Sequence, residues 1–193
     1  MRIAILSDIH GNCVAFDKVL NDLQQRPVDR VICLGDAIQG GPQPAQVVAR
    51  LRELGCGVVM GNADAWLLSG EETGNESMSD ERRLSLNAVR EWTLAQLSLT
   101  DRAFIQAFKP TIKVELEAGR KLLCFHGSPV SFDDVMLLDI SQEALFKYLG
   151  AYDAHVMTGG HTHVQYLRRL SSDARFFFNP GSIGSAYSHH QPD

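Results

Sequence analysis

The chain has 193 residues, a net charge of -5, 45% hydrophobic and 21% charged residues. That length suffices for one domain with a substantial core. The acidic balance, without any run of Lys or Arg, excludes a broad electrostatic grip on nucleic acid but not a small phosphorylated substrate, because a metal ion can reverse the local charge.

The opening "MRIAILSD" meets an aspartate too early for a signal-peptide core. No stretch approaches the length of a membrane span, so no membrane contact is expected and the cytoplasm is the expected location. "RIAILSD" and "DRVICLGD" are apolar runs that end in aspartate, and "GVVMGN" ends in asparagine; each reads as a strand. Between the first two, Phe16, Val19, Leu20 and Leu23 recur at helical spacing behind Asn12, which is suited to an N-cap. Between the second and third, Val47, Val48, Leu51 and Leu54 repeat the pattern, and Gly55 stops the helix. A β-α-β-α-β order implies parallel strands with right-handed crossovers.

Residues 70–82 are polar and rich in Gly and Ser, and read as a loop or lid. Leu84, Ala88, Trp92, Ala95 and Leu99 then mark an amphipathic helix, and a shorter one follows around Ala103 to Phe108. "TIKVELEAG", "KLLCFHG", "AHVMTGG", "VQYLRRL" and "ARFFFNP" read as strands, interrupted by a helix from Ser141 to Leu149. The expected fold is α/β: a four-layer α/β/β/α sandwich of two mixed β-sheets packed face to face with helices outside, one domain over residues 1–193. A single doubly wound sheet is the alternative. Cys13, Cys33, Cys56 and Cys124 form no C-x-x-C pair and read as reduced, mostly buried apolar residues.

Placement carries the functional signal. Asp8 and His10, Asp36, Asn62, His126, and His161 with His163 all follow a predicted strand, most with a glycine beside them. The carboxyl ends of strands in open α/β sheets are where ligands bind. Taken singly, each has a plain structural reading: a helix cap for Asp8, a turn residue for Asp36 or Asn62, a hydrogen-bonded core histidine for His126. Together, four of the chain's seven histidines end strands beside two aspartates and an asparagine, and that set points to metal.

The ordered motifs "SDIHGN", "LGD", "GNAD", "FHGSP" and "GGHTH" span residues 7–163. They resemble the calcineurin-like metallophosphoesterases, whose signature runs D-x-H, G-D, G-N-[HCA]-[DE], G-H and G-H-x-H; "FNPGSIG" is similar to a turn of the bacterial and archaeal phosphodiesterase-like branch. In the fourth motif, His126 precedes its glycine instead of following one. The resemblance implies two divalent ions, one on Asp8, His10, Asp36 and His163 and the other on Asp36, Asn62, His126 and His161, with Asp36 bridging. The mixture of carboxylate, imidazole and amide donors suits Mn2+ foremost, then Fe2+, Ni2+, Co2+ or Zn2+. Asp36, Asn62 and His126 would form the catalytic heart, with Asp64 orienting ligands and Asn12, Gly181 and Ser182 offering contacts to substrate.

The implied reaction is in-line attack on phosphorus by a hydroxide shared between the metals. Many members carry a histidine acid where this chain has Ala63. Losing a positioned acid costs on the order of 10²–10⁴-fold for a poor leaving group. Either the substrates carry good leaving groups, as diesters, aryl phosphates or phosphoanhydrides do, or another donor acts; the expected substrates are phosphodiesters or phosphoanhydrides, nucleotides or dinucleoside polyphosphates among them. A phosphomonoesterase or protein phosphatase, and a non-catalytic scaffold of the same fold, are the competing readings. Relatives continue past the "NPGSIG" turn with further strands, so missing terminal strands or an edge closed by a homo-oligomer is expected. His155 is expected to be structural, and His189 and His190 to lie in a tail.

Overall fold

The computed structural model describes residues 1–71, 79–170 and 174–187. In chain order the elements are β1 (Ile3–Leu6), α1 (Cys13–Gln25), β2 (Arg30–Cys33), α2 (Pro44–Leu54), β3 (Gly57–Val58), α3 (Asn62–Ser69), α4 (Asp80–Ala95) and α5 (Leu99–Gln106). They continue with β4 (Ile112–Glu115), β5 (Lys121–Cys124), α6 (Gln142–Leu149), β6 (Val156–Thr158), β7 (Tyr166–Arg169) and β8 (Phe176–Asn179). One sheet has the order β1-β2-β3 and the other β4-β5-β6-β8-β7. The first is parallel throughout, so only the second is mixed, with β4 and β7 antiparallel to their neighbours.

Strand alternation produces three separate apolar layers, and these define the sandwich. In β2, Ile32 faces the second sheet and Cys33 faces helices. In β5, Leu122 and Cys124 join the layer between the sheets while Leu123 points the other way. Ile3, Ile5, Val59, Val114 and Val156 complete the middle layer. On one outer side, Leu6, Cys33 and Val58 pack with Phe16 of α1, Val47, Val48 and Leu51 of α2, Leu67 of α3 and Ile105 of α5. On the other, Leu123, Met157 and Phe177 pack with Leu145 and Leu149 of α6. Helices thus cover the outer face of each sheet, as the α/β/β/α expectation requires.

The helix signals in the sequence act as expected at several ends. Asn12 accepts a hydrogen bond from the Ala15 N–H at 3.0 Å, and Ser141 accepts one from Ala144 at 3.1 Å. Gly55 ends α2 in the left-handed conformation at φ 60°.

Three expectations change. The strand read from "GVVMGN" is only two residues long, and Asn62 opens a helix, α3, that is absent from the expected elements. The apolar stripe of α4 faces outward: Leu84 is 70% and Leu99 81% exposed, and Leu99 starts α5 behind the Ser98 cap. Inward, α4 presents buried Thr93, half-buried Leu94, and Arg90, whose guanidinium donates to the Trp66 and Leu67 carbonyls. Most of the loop expected over residues 70–82 lies outside the described residues, and Asp80 already begins α4. Among the described residues no helix is long and apolar enough to cross a membrane.

Candidate metal centre

Short strands feed the site, and the chain turns abruptly where each strand ends. Asp8 and His10 follow β1, Asp36 follows β2, His126 follows β5, and His161 and His163 follow β6; Asn62 opens α3. Asp8 (φ 54°), His10 (47°), Asp36 (49°), His161 (67°) and His163 (60°) all take the left-handed conformation. Among the described non-glycine residues only Ala118 and Ala174 share it. An L-residue there costs roughly 1–2 kcal/mol, and such strain collects at functional sites. Five of the seven residues anticipated as ligands, all but Asn62 and His126, therefore have a backbone held out of its ordinary range.

The side chains converge in two groups, Asp8 with His10 and His163, and Asp36 with His126 and His161. Within each group one donor atom per residue lies within 4.8 Å of the others. Asp36 also approaches the first group, with its Oδ2 3.8 Å from His10 Nε2 and 3.4 Å from His126 Nε2. Asn62 Oδ1 lies 3.0 Å from His126 Nε2. The seven residues anticipated as ligands therefore meet in one place.

Hydrogen bonds behind the rings set what the rings present in front. His10 Nδ1 donates to the Gln39 carbonyl at 2.8 Å, His126 Nδ1 to Leu34 at 2.8 Å and His163 Nδ1 to Ser185 at 2.6 Å. A carbonyl only accepts, so each Nδ1 carries a proton and each ring turns its Nε2 inward, as an acceptor whenever the ring is neutral. His10 Nε2 and His163 Nε2 then face each other at 3.0 Å. Two acceptors hold that separation only with a proton or a cation between them. Ser7 Oγ donates to Asp8 Oδ2, while buried Asp8 Oδ1 receives no hydrogen bond and lies 3.2 Å from His163 Nε2. An orphaned carboxylate oxygen among inward imidazole lone pairs, with no cysteine in the set, fits a divalent cation.

The electrostatics of the bare groups agree. Burial pushes the Asp36 carboxyl up, but His126, His10 and the Ala63 N–H together hold it well below the usual carboxylate range. Burial pushes His126 down, yet Asp36 and Asp8 prevail and raise it to about 9. Burial likewise opposes, and Asp8 reverses, the shift at His163, which ends raised; burial and His126 lower His161. The carboxylates thus favour protonation of His126 and His163 but do not overcome burial at His161. Asp64, fully buried, is pushed up to about 7 by burial and by Asp36. Its oxygens accept from the Ala37 and Ile38 N–H groups at 3.0–3.1 Å, which ties down the chain just after Asp36.

Closeness, more than backbone freedom, explains two of the glycines. A Cβ on Gly61 would lie 2.1 Å from Asp36 Oδ1, and one on Gly160 2.1 Å from Ser7 Oγ and 2.7 Å from Asp8 Oδ2. The residues expected to touch substrate already bond within the protein. Asn12 caps α1 and donates to the Gly184 carbonyl at 3.2 Å. Ser182 Oγ donates to the Asp8 carbonyl at 2.7 Å, and the Gly181 N–H donates to Asn179 Oδ1 at 2.8 Å. Any contact they make with substrate is additional to these. His155 accepts from the Lys121 N–H at 3.2 Å at the start of β5, away from the site, and His189 and His190 lie outside the described residues. Reading motifs missed Tyr187, whose ring stacks on His163 at 4.9 Å, and the three backbone carbonyls behind the histidines.

The family model described as the calcineurin-like phosphoesterase superfamily domain matches residues 1–192. The chain belongs to this superfamily. As a calcineurin-like phosphoesterase it is a metal-dependent hydrolase, and each of the two side-chain groups could hold a metal ion. It is 28% identical over 197 residues to the protein MJ0912 of Methanocaldococcus jannaschii, covering 94% of this chain and 76% of that protein. Its structure is similar to that of a metallophosphoesterase from Sphaerobacter thermophilus, with a TM-score of 0.72 at 26% identity over 96% of this chain and 78% of the other. The same fold recurs in protein PH1004 of Pyrococcus horikoshii, with a TM-score of 0.77 at 18% identity over 95% and 77% of the two chains.

Proposed function

We propose that this calcineurin-like phosphoesterase hydrolyses phosphodiester or phosphoanhydride bonds in small, nucleotide-like substrates with two divalent ions, Mn2+ foremost. Asp8, His10, Asp36 and His163 would hold one ion, and Asp36, Asn62, His126 and His161 the other. The observation that carries the metal reading is the pair of Nε2 atoms of His10 and His163 facing each other at 3.0 Å beside the orphaned Asp8 Oδ1. Divalent ions in such a site lower the pKa of water and neutralise charge that builds on phosphoryl oxygens.

The chain's own residues do the remainder. The Gln39, Leu34 and Ser185 carbonyls each hold an imidazole Nδ1–H and so aim three Nε2 atoms inward. Asp64 fixes the loop that carries Asp36 through two N–H groups. The diester preference rests on Ala63. Its side chain offers no proton, and its N–H is engaged with Asp36 Oδ1 at 2.8 Å. A leaving group must then depart without a positioned acid from this residue, which favours groups that are stable as anions.

The test loads the metal-stripped protein with Mn2+ and compares bis-p-nitrophenyl phosphate with an alkyl phosphate monoester. The expected result is metal-dependent turnover of the diester and slow or absent turnover of the monoester. Faster monoester hydrolysis would replace this reading with a phosphomonoesterase. Two bound metals without turnover of either substrate would favour the scaffold.

A further inference from the structure

We infer that Asn179 is a positioning residue that divides the two histidines of "GGHTH" between the two ions and ties both to Asp8, an inference that rests on the metal reading above. Asn179 ends β8, opposite Tyr166 of antiparallel β7, and is only 1% exposed. Its Nδ2 donates to the Gly160 carbonyl at 2.6 Å and to Thr162 Oγ1 at 3.0 Å. Those two atoms flank His161, and Thr162 separates it from His163. The Gly160 carbonyl also accepts from the Thr162 N–H at 2.8 Å, so the amide closes a tight turn around His161.

The turn matters because of how two side chains spaced by one residue point. In an extended strand, residues i and i+2 share one face. Here His161 and His163 hold φ values of 67° and 60° and diverge. His161 reaches Asp36 and the His126 ring, 5.2 Å away between centroids. His163 reaches Asp8 and His10. Clamping the carbonyl before His161 and the hydroxyl after it is what keeps the two rings from relaxing to a common side.

The other end of the amide reaches the aspartate. Asn179 Oδ1 accepts from the Gly181 N–H at 2.8 Å, which shapes the turn into Ser182. From that turn Ser182 Oγ and the Gly184 N–H both donate to the Asp8 carbonyl, at 2.7 and 3.0 Å. A single buried amide with both ends engaged thus connects ligands of both groups. No other residue type of this size offers two donors on one atom and an acceptor on the next.

The experiment titrates Mn2+ into the metal-stripped full chain by calorimetry and records the visible spectrum of the Co2+-loaded form. N179A and N179D are expected to weaken both ions by about tenfold or more, the scale known for groups that orient metal ligands, and to change the Co2+ spectrum. T162V, which removes only the 3.0 Å bond, should shift affinity less, in the same direction. L145A, in the apolar layer under α6, should lose thermal stability yet bind Mn2+ as the unmodified protein does. Two full equivalents at unchanged affinity and an unchanged spectrum in the Asn179 variants would overturn the inference. If those variants do not fold, T162V decides, and unchanged affinity there overturns it. An unmodified chain that binds no Mn2+ sinks the metal reading itself, and the inference with it.

Discussion

Asp36 gives the sharpest test of the two-ion arrangement, because one of its oxygens stands near both groups. Oδ2 is 3.8 Å from His10 Nε2 and 3.4 Å from His126 Nε2. If it serves both ions, Asp36→Asn must weaken them together. An ion present at a hundred times its Kd stabilises the folded state by about 2.7 kcal/mol, so two contribute about 5.4. In a chain of this size each kcal/mol moves Tm by roughly 2–4 °C. Saturating Mn2+ should therefore raise the melting temperature of the unmodified protein by on the order of 10–20 °C. A hundredfold loss at each site leaves only RT ln 2, about 0.4 kcal/mol apiece, or a few degrees in all. The assay is thermal melting across a Mn2+ series with metal content measured in parallel. His163→Ala, which strips one group alone, should keep about half of the shift. If Asp36→Asn also keeps half, with one full equivalent bound, the carboxylate is not shared; a full shift with two equivalents would refute its ligand role altogether.

Gly61→Ala places a methyl 2.1 Å from Asp36 Oδ1, a collision with a buried, anchored group. Such overpacking costs about 1–3 kcal/mol, and a chemical melt together with Mn2+ titration should show lower stability and weaker binding at once. Ala63→His restores an imidazole beside Asn62 and should raise turnover of esters with poor leaving groups, by up to the order of 10²-fold, while leaving p-nitrophenyl diesters little changed. Equal rates for alkyl esters in the two proteins would count against the missing-acid argument. Leu84→Glu lies on the outward face of α4, where the side chain is 70% exposed. It should change the unfolding free energy measured by chemical denaturation by no more than about 0.5 kcal/mol, whereas a larger loss would mean that this stripe is covered.

How much of this was legible depended on what each residue had to do. Asp8, His10, Asp36, His126, His161 and His163 stood out because ligand chemistry needs those side chains at strand ends, and pattern and spacing record that directly. The layers were legible from the order of strands and helices, whereas the alternation of Leu122, Leu123 and Cys124 between two apolar environments, within an unbroken apolar run, was not. Helix α3 was not: Trp66, Leu67 and Leu68 follow one another without helical periodicity, and only Leu67 is buried among them. The α4 stripe misled for the opposite reason. Its periodicity is clean, but Arg90 binds α3 carbonyls from the other face and turns the helix over. The backbone carbonyls of Leu34, Gln39 and Ser185 were invisible in principle, since any residue supplies one.

The left-handed backbone at five of the proposed ligand residues adds a constraint that no motif records. At roughly 1–2 kcal/mol each, with Asp and His more tolerant of this region than most residues, the five together cost on the order of 5 kcal/mol. Glycine would relieve that strain at any of them but would remove the donor, so the positions cannot be relaxed without losing the site. The strain lies in the same turns that bring His10 and His163 nitrogen to nitrogen and leave Asp8 Oδ1 without a donor. A cation placed between the donors would satisfy the facing nitrogens and the orphaned oxygen, and its binding would offset the backbone strain. If the proposed ions bind here, ion binding and local folding of the strand-end loops become one equilibrium: chelation should loosen residues 7–12, 35–39 and 159–164 first and the central strands last, in the order read by hydrogen exchange.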